Sequence, residues 1–302
     1  MDTQFWWIFD ALVVFLLVWV IYSNAKRGFS KVFIICIGYL IAAVASSLLS
    51  GVAASPLYEV VARRSNIEAI EQVNDTVSIV ECFTETLNDK NYGIHFDARI
   101  IEDYLREEGG SFDQNIYNYV NKRAGYVVAT PQEFKQLLNN SFVEEYGREL
   151  NAKLPYYAAA DFSTKMETNP HMLNSVVKQL TDRTHSKREN AEFIEDNFSR
   201  EPTTEAFRIF VYFVIFSVLM AITTLIYSMN ENNIFINLRS ATEHVLGGMI
   251  GLVEAGILIM LMTFAVRLLV LIGGGRLLCF NEPTIKMTWV FHFIYDKLAL
   301  LL

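Results

Sequence analysis

Four long apolar runs constrain this chain more than anything else in it. Residues 5–23, 32–54 and 209–229 carry almost no charge, and 245–275 carries very little. A bilayer core is roughly 30 Å thick, so a spanning helix needs about 20 mainly apolar residues. Each run reaches that length. Inside lipid the backbone must satisfy its own hydrogen bonds, which leaves helices as the answer for isolated runs of this kind. The pattern predicts an all-α fold of four transmembrane helices, over about 5–23, 32–54, 206–229 and 245–272. A large helical soluble insert separates helices 2 and 3, and an amphipathic helix follows the fourth. The organisation expected is a first hairpin at 1–56, an acidic insert at 57–202, a second hairpin at 203–275 and an interfacial helix at 276–302.

The charge divides along the same lines. Residues 55–206 hold 16 Lys/Arg and 26 Asp/Glu, a net of −10 out of a total of −8 for the chain. Phosphate binding needs clustered cations, and no basic stripe occurs, so nucleic acid is excluded as a partner. The first run lacks a preceding basic region and ends at Lys26-Arg27, not at a small-residue cleavage site, so it reads as a retained helix. Trp6 and Trp7 at one end and Trp19 and Tyr22 near the other form an aromatic belt. Asp10 lies inside this run and is expected to face water or a partner helix.

The connection 24–31 carries Lys26, Arg27 and Lys31, whereas the tail 1–4 has no Lys or Arg. The positive-inside rule then puts this turn in the cytoplasm and the N-terminus and insert outside a bacterial cytoplasmic membrane. The second run is rich in Ala, Ser and Gly over 42–54, a composition that permits close helix packing. In the fourth run Gly247, Gly248, Gly251 and Gly256 form a smooth strip, expected to pack helices in preference to lining a pore. Pro202, Thr203, Thr204 and Glu205 mark the start of the third span. Arg208 and Arg267 are expected to snorkel to the membrane edges.

The insert reads as helical throughout, with segments over 57–75, 97–107, 113–123, 170–183 and 187–199. Thr130-Pro131-Gln132-Glu133 is a capping box with proline at the first helical position, opening a helix to about Lys153. Residues 284–302 predict one amphipathic helix with Lys286, Thr288, His292, Asp296 and Lys297 on one side and Trp289, Phe293 and Ile294 away from them.

Catalytic signatures are absent: no GxxxxGK[ST], HExxH, GxSxG or CxxC occurs. The five histidines are scattered, so no catalytic, metal or cofactor site is expected. Cys36 reads as a small core hydrophobe; Cys82 and Cys279 share a compartment on this topology, although three scattered cysteines are not a disulfide framework. Glu254 stands out as a carboxylate inside an apolar run. It reads either as a proton or ion relay or gating contact, or as a group near the interface, protonated, or paired with a neighbouring helix.

The Lys26-Arg27-Gly28-Phe29 turn between two apolar helices, and the stretch Leu246-Gly247-Gly248-Met249-Ile250-Gly251-Leu252-Val253, resemble the CvpA family of colicin V production proteins. The resemblance covers roughly 5–60 and 205–275. It implies a multi-pass bacterial inner-membrane protein linked to toxin production or export and to envelope integrity. The chain departs from the family in its insert of about 150 residues and in carrying Glu254 where the family pattern often has a basic residue. No role that needs a cation there is carried over.

The first expectation is therefore a non-enzymatic accessory or scaffold of the envelope or of secretion, in the lipid bilayer, binding a protein partner through its insert and open to homo-oligomer formation. A small oligomeric transporter or channel using Glu254 is the second. An envelope sensor relaying through a partner is the third.

Overall fold

The computed structural model describes residues 5–106, 111–230, 240–273 and 280–298. Among them there is no β-strand. In chain order the helices are α1 (Trp7–Arg27), α2 (Phe29–Val61), α3 (Arg63–Thr76), α4 (Ile79–Asp89), α5 (Ala98–Arg106), α6 (Phe112–Ala124) and α7 (Pro131–Lys153). They continue with α8 (Tyr156–Thr168), α9 (Met172–Thr181), α10 (Lys187–Ile194), a π turn (Glu195–Ser199), α11 (Arg200–Asn230), α12 (Ser240–Gly273), α13 (Glu282–Lys286) and α14 (Phe291–Leu298). The chain divides into two compact units, Met1–Leu57 with Glu205–Leu302, and Tyr58–Thr204.

The first unit contains four helices long and apolar enough to cross a membrane, which makes the chain a membrane protein. Its outward face is apolar: Leu48 is 69 % exposed and Val52 77 %. A water-soluble helix would turn such residues inward; here the surrounding medium is hydrocarbon. Its interior is built from Ile35, Tyr39, Ile209, Tyr212, Phe216 and Phe264, with Tyr212 against Phe264 at 4.3 Å between ring centroids. α2 runs on through Pro56 to Val61, past the span expected to end at Ala54. The helix expected over 57–75 is therefore shared between the end of α2 and α3, with the break at Ala62.

The C-terminal region differs from the single amphipathic helix expected. It forms two short helices, because Asp10 of α1 and Thr288 start the second one afresh. The Asp10 carboxylate accepts the N–H groups of Trp289 (2.7 Å), Val290 (3.1 Å) and Phe291 (2.9 Å). Thr288 Oγ1 accepts the His292 N–H at 2.8 Å. Thr288 is buried, not on a polar outer side, and the inward face is Phe291 and Tyr295 while Trp289 and Phe293 are exposed. Phe9 stacks on Phe291 at 5.0 Å, and Trp6 lies 5.6 Å from Trp289.

The second unit has its own core. Aromatic rings run through it in sequence of contact: Phe112 to Phe83 (5.0 Å), Phe83 to Phe142 (6.2 Å), Phe142 to Tyr146 (5.1 Å), Tyr146 to Phe162 (5.1 Å) and Phe162 to Phe198 (4.9 Å). Burying each such side chain stabilises by about 1.5–3 kcal/mol, and contacts between rings add to that. α7 is the central helix. Thr130 Oγ1 accepts the Glu133 N–H at 3.2 Å while Glu133 accepts the Thr130 N–H at 2.9 Å, and the helix ends at Lys153. Cys82 is buried beside Ser141, its sulfur 3.4 Å from that hydroxyl, and burial pushes its thiol above the usual range. Cys279, placed in the same compartment by the expected topology, lies outside the described residues.

No helix starts at Pro202. The chain is helical from Lys187 to Met229. The π turn supplies the reason: Arg200 N–H bonds Glu195 O, an i+5 step, so the ladder is already out of its i+4 register just before the proline arrives.

Candidate functional site

Several of the residues singled out by sequence, among them Gly28, Gly247, Gly251 and Glu254, converge where α1 turns into α2. α1 ends on Lys26 and Arg27, both exposed, with Lys26 Nζ 4.6 Å from the centre of the Tyr22 ring. Gly28 follows with φ +86°, a conformation that favours glycine, and its N–H bonds back to Asn24 O at 3.1 Å. Phe29 opens α2 and stacks on Phe33 at 5.2 Å.

This turn is seated on the first turns of α12. Glu243, Gly247, Gly251 and Glu254 are spaced by four, four and three, which aligns them on one helix face. Ser30 Oγ donates to Glu243 Oε1 at 2.8 Å. His244 Nδ1 lies 2.6 Å from Ala25 O; a carbonyl only accepts, so the imidazole carries its proton on that nitrogen. At Gly247 an added Cβ would stand 2.7 Å from the Asn24 carbonyl oxygen, and at Gly251 it would stand 3.1 Å from Ile21 Cα. Gly248 faces Ala25 and Ile21 at ordinary distance, 3.7 and 3.8 Å.

Gly256 is a correction to the expected strip. Nothing lies within 4 Å of a Cβ placed there. The reason is phase: Gly247 and Gly251 point at α1, whereas Gly256 falls on the exposed side with Leu252 and Val253. A glycine not anticipated from sequence packs more tightly than any of these, since a Cβ on Gly38 of α2 would run into the Thr223 γ-methyl of α11.

Glu254 is 7 % exposed and lies within this packed face. It accepts from the Asn24 Nδ2 amide at 2.5 Å, and Asn24 itself is 2 % exposed. Of the alternatives open for Glu254, the geometry realises pairing with a neighbouring helix. Asn24 went unnoticed in sequence because an amide near an apolar run's end reads as a boundary residue. Its signal is reciprocal: one buried amide on α1 for one buried carboxyl on α12. Elsewhere in this unit the Tyr39 hydroxyl bonds the Thr224 hydroxyl at 2.8 Å, and the Arg267 guanidinium lies 5.5 Å from the centre of the Tyr295 ring.

In the second unit a cleft of about 500 Å³ between α5 and α6 is lined by Tyr104, Asn118, Tyr119, Lys122 and Arg123 among others. Among the described residues no group of three or more His, Cys, Asp or Glu side chains is placed to hold a metal ion. Compared with family models, with curated proteins and with solved structures, the chain gives no match.

Proposed function

We propose that this protein is a non-enzymatic scaffold or accessory protein of a bacterial cytoplasmic membrane, and that its extracytoplasmic insert docks a protein of the envelope or of a secretion apparatus. The observation that carries this reading is the use made of Glu254. A carboxylate inside a membrane is costly and takes a partner in the bundle interior or faces a cavity; this one is buried and tied to Asn24 in the packed face between α1 and α12. Polar groups that hold helices together suit a rigid platform. The independent core of the insert supports a recognition module that such a platform displays. The turn and glycine-rich stretch that resemble the CvpA family fit the same role, as does the net charge of −10 on the insert, which favours a partner with a basic surface.

Flux and topology test this reading. Purified protein reconstituted in liposomes with an entrapped pH-sensitive dye is expected to pass protons and potassium no faster than empty vesicles, and Glu254→Gln to behave identically. Flux above the empty-vesicle rate, lost in Glu254→Gln at equal reconstitution, would replace the scaffold with an oligomeric transporter. For topology Cys82 is a poor reporter, being buried. Gln132→Cys, on the exposed first turn of α7, in a chain with the three native cysteines replaced, is expected to react with an impermeant maleimide in intact cells. Labelling only after the membrane is opened would put the insert in the cytoplasm and redirect the search for its partner there.

A further inference from the structure

The most unusual residue of the second unit lies at the π turn. Glu195 is 0 % exposed, and neither carboxylate oxygen has a hydrogen bond. A buried ionised carboxylate with no donor is strongly disfavoured. Its closest cation is Arg63 of α3, whose Nε is 3.7 Å away and is itself buried without a hydrogen bond.

Charge counting around it points the same way. Arg63 and Arg200 serve three carboxylates. Arg63 also reaches Glu59 at 3.2 Å and Asp196 at 3.6 Å. Arg200 takes Glu59 at 2.7 Å and Asp196 at 3.1 Å. Both arginines thus have better-placed partners than Glu195. α8, packed on the same turn, presents Asp161 and Lys165, which pair with each other at 2.7 Å, and Lys165 also reaches Glu201 at 3.0 Å. On α10 the nearest charges, Arg188 and Glu192, pair at 3.0 Å. Glu195 is the surplus acid of the cluster. Asn66, Ser199 and Thr203 complete the buried surroundings, with Ser199 Oγ donating to Ala158 O at 3.2 Å and Asn66 Nδ2 to Thr203 at 3.3 Å.

We infer that Glu195 is a proton-binding site: the insert closes around its neutral carboxyl, and release of that proton to solvent draws water to the buried carboxylate and loosens the π turn from α8. The π turn is the element able to answer. Its i+5 bonding is an irregular step in a helix, and such steps are frequent at functional sites. Burial first, and the adjacent Asp196 charge second, raise the Glu195 carboxyl to about 8, against the opposing pull of Arg200. The site therefore changes charge near neutral pH, where an ordinary carboxylate is fully ionised.

The test uses the full chain in lipid nanodiscs. Infrared spectra of wild type minus Glu195→Gln should show one protonated carboxylic acid at pH 6.5 that converts to carboxylate with a midpoint of about 8. Amide exchange over 191–203, corrected for the intrinsic pH dependence, should accelerate above that midpoint in wild type and stay slow in Glu195→Gln. Asp196→Asn, at a half-exposed position, should lower the midpoint. A carboxylate at residue 195 throughout the range, equal acceleration in Glu195→Gln, or an unmoved midpoint in Asp196→Asn would overturn the inference.

Discussion

Gly247 and Gly256 sit nine residues apart on one helix and do opposite things, which makes them a matched pair. Alanine gains about 1 kcal/mol of helix propensity over glycine at either site. At Gly256 nothing opposes that gain, since the added methyl meets nothing within 4 Å. At Gly247 the methyl meets the Asn24 backbone oxygen, which cannot swing aside as a side chain can, and overpacking of this kind costs about 1–3 kcal/mol. Unfolding by dodecyl sulfate in mixed micelles should therefore rank Gly256→Ala at or above wild type and Gly247→Ala below Gly256→Ala by about 1–3 kcal/mol. Equal stability of the two variants would mean that α1 does not pack on α12 as described. Glu254 belongs to the same contact. Glu254→Gln keeps an acceptor for Asn24 and should cost little, whereas Glu254→Leu strands a buried amide and should cost about 1–3 kcal/mol in the same assay.

At the scale of elements, α14 shows how a short helix is held. Eight residues are too few to be stable alone. It is started from outside by Asp10, which accepts three successive N–H groups, and it is held by Phe291 and Tyr295 against α1 and α12. Asp10→Ala should cost about 0.5–2 kcal/mol, the usual effect of removing a helix cap. It should also raise amide exchange over 289–295 while leaving α7 unchanged; unchanged exchange over 289–295 would show that ring packing alone holds α14. The contrast with α7 is informative. There the cap lies within the helix's own sequence, Thr130 with Glu133, so the start was readable from four adjacent residues. The cap of α14 is about 280 residues away in sequence, so a single helix over 284–302 was expected where two short ones form.

At the scale of the whole molecule, Glu195 gives the insert a dependence on pH with a definite sign. In the unfolded chain it ionises in the ordinary carboxylate range, near 4.3. In the fold it keeps its proton to about 8. The folded state therefore binds more protons across that window, and its stability falls as pH rises through it, then levels off above. Thermal melting followed by circular dichroism from pH 5 to 9 should lower the transition of wild type relative to Glu195→Gln as pH increases. A gap between the two that does not widen would mean that Glu195 ionises normally in the fold.

What the sequence determined by itself follows from solvent. Runs of about 20 apolar residues have one stable home, and an uncharged run of that length needs no tertiary partner to identify it, so the four spans were legible in outline although not at their ends. Gly28 and the Thr130 box were legible for the same reason: their physics is local. Tertiary structure alone decided which glycines touch anything, because Gly247, Gly251 and Gly256 are chemically identical and differ only in the direction of a neighbouring helix. It alone joined Asn24 to Glu254 and Asp10 to α14, since those bonds close loops of more than 200 residues. It also hid Glu195, which sits among Ala191, Ile194 and Phe198 on the buried side of what reads as a solvated acidic helix. A charge in an acidic segment is ordinarily on the surface, and only packing on every side removes it from water.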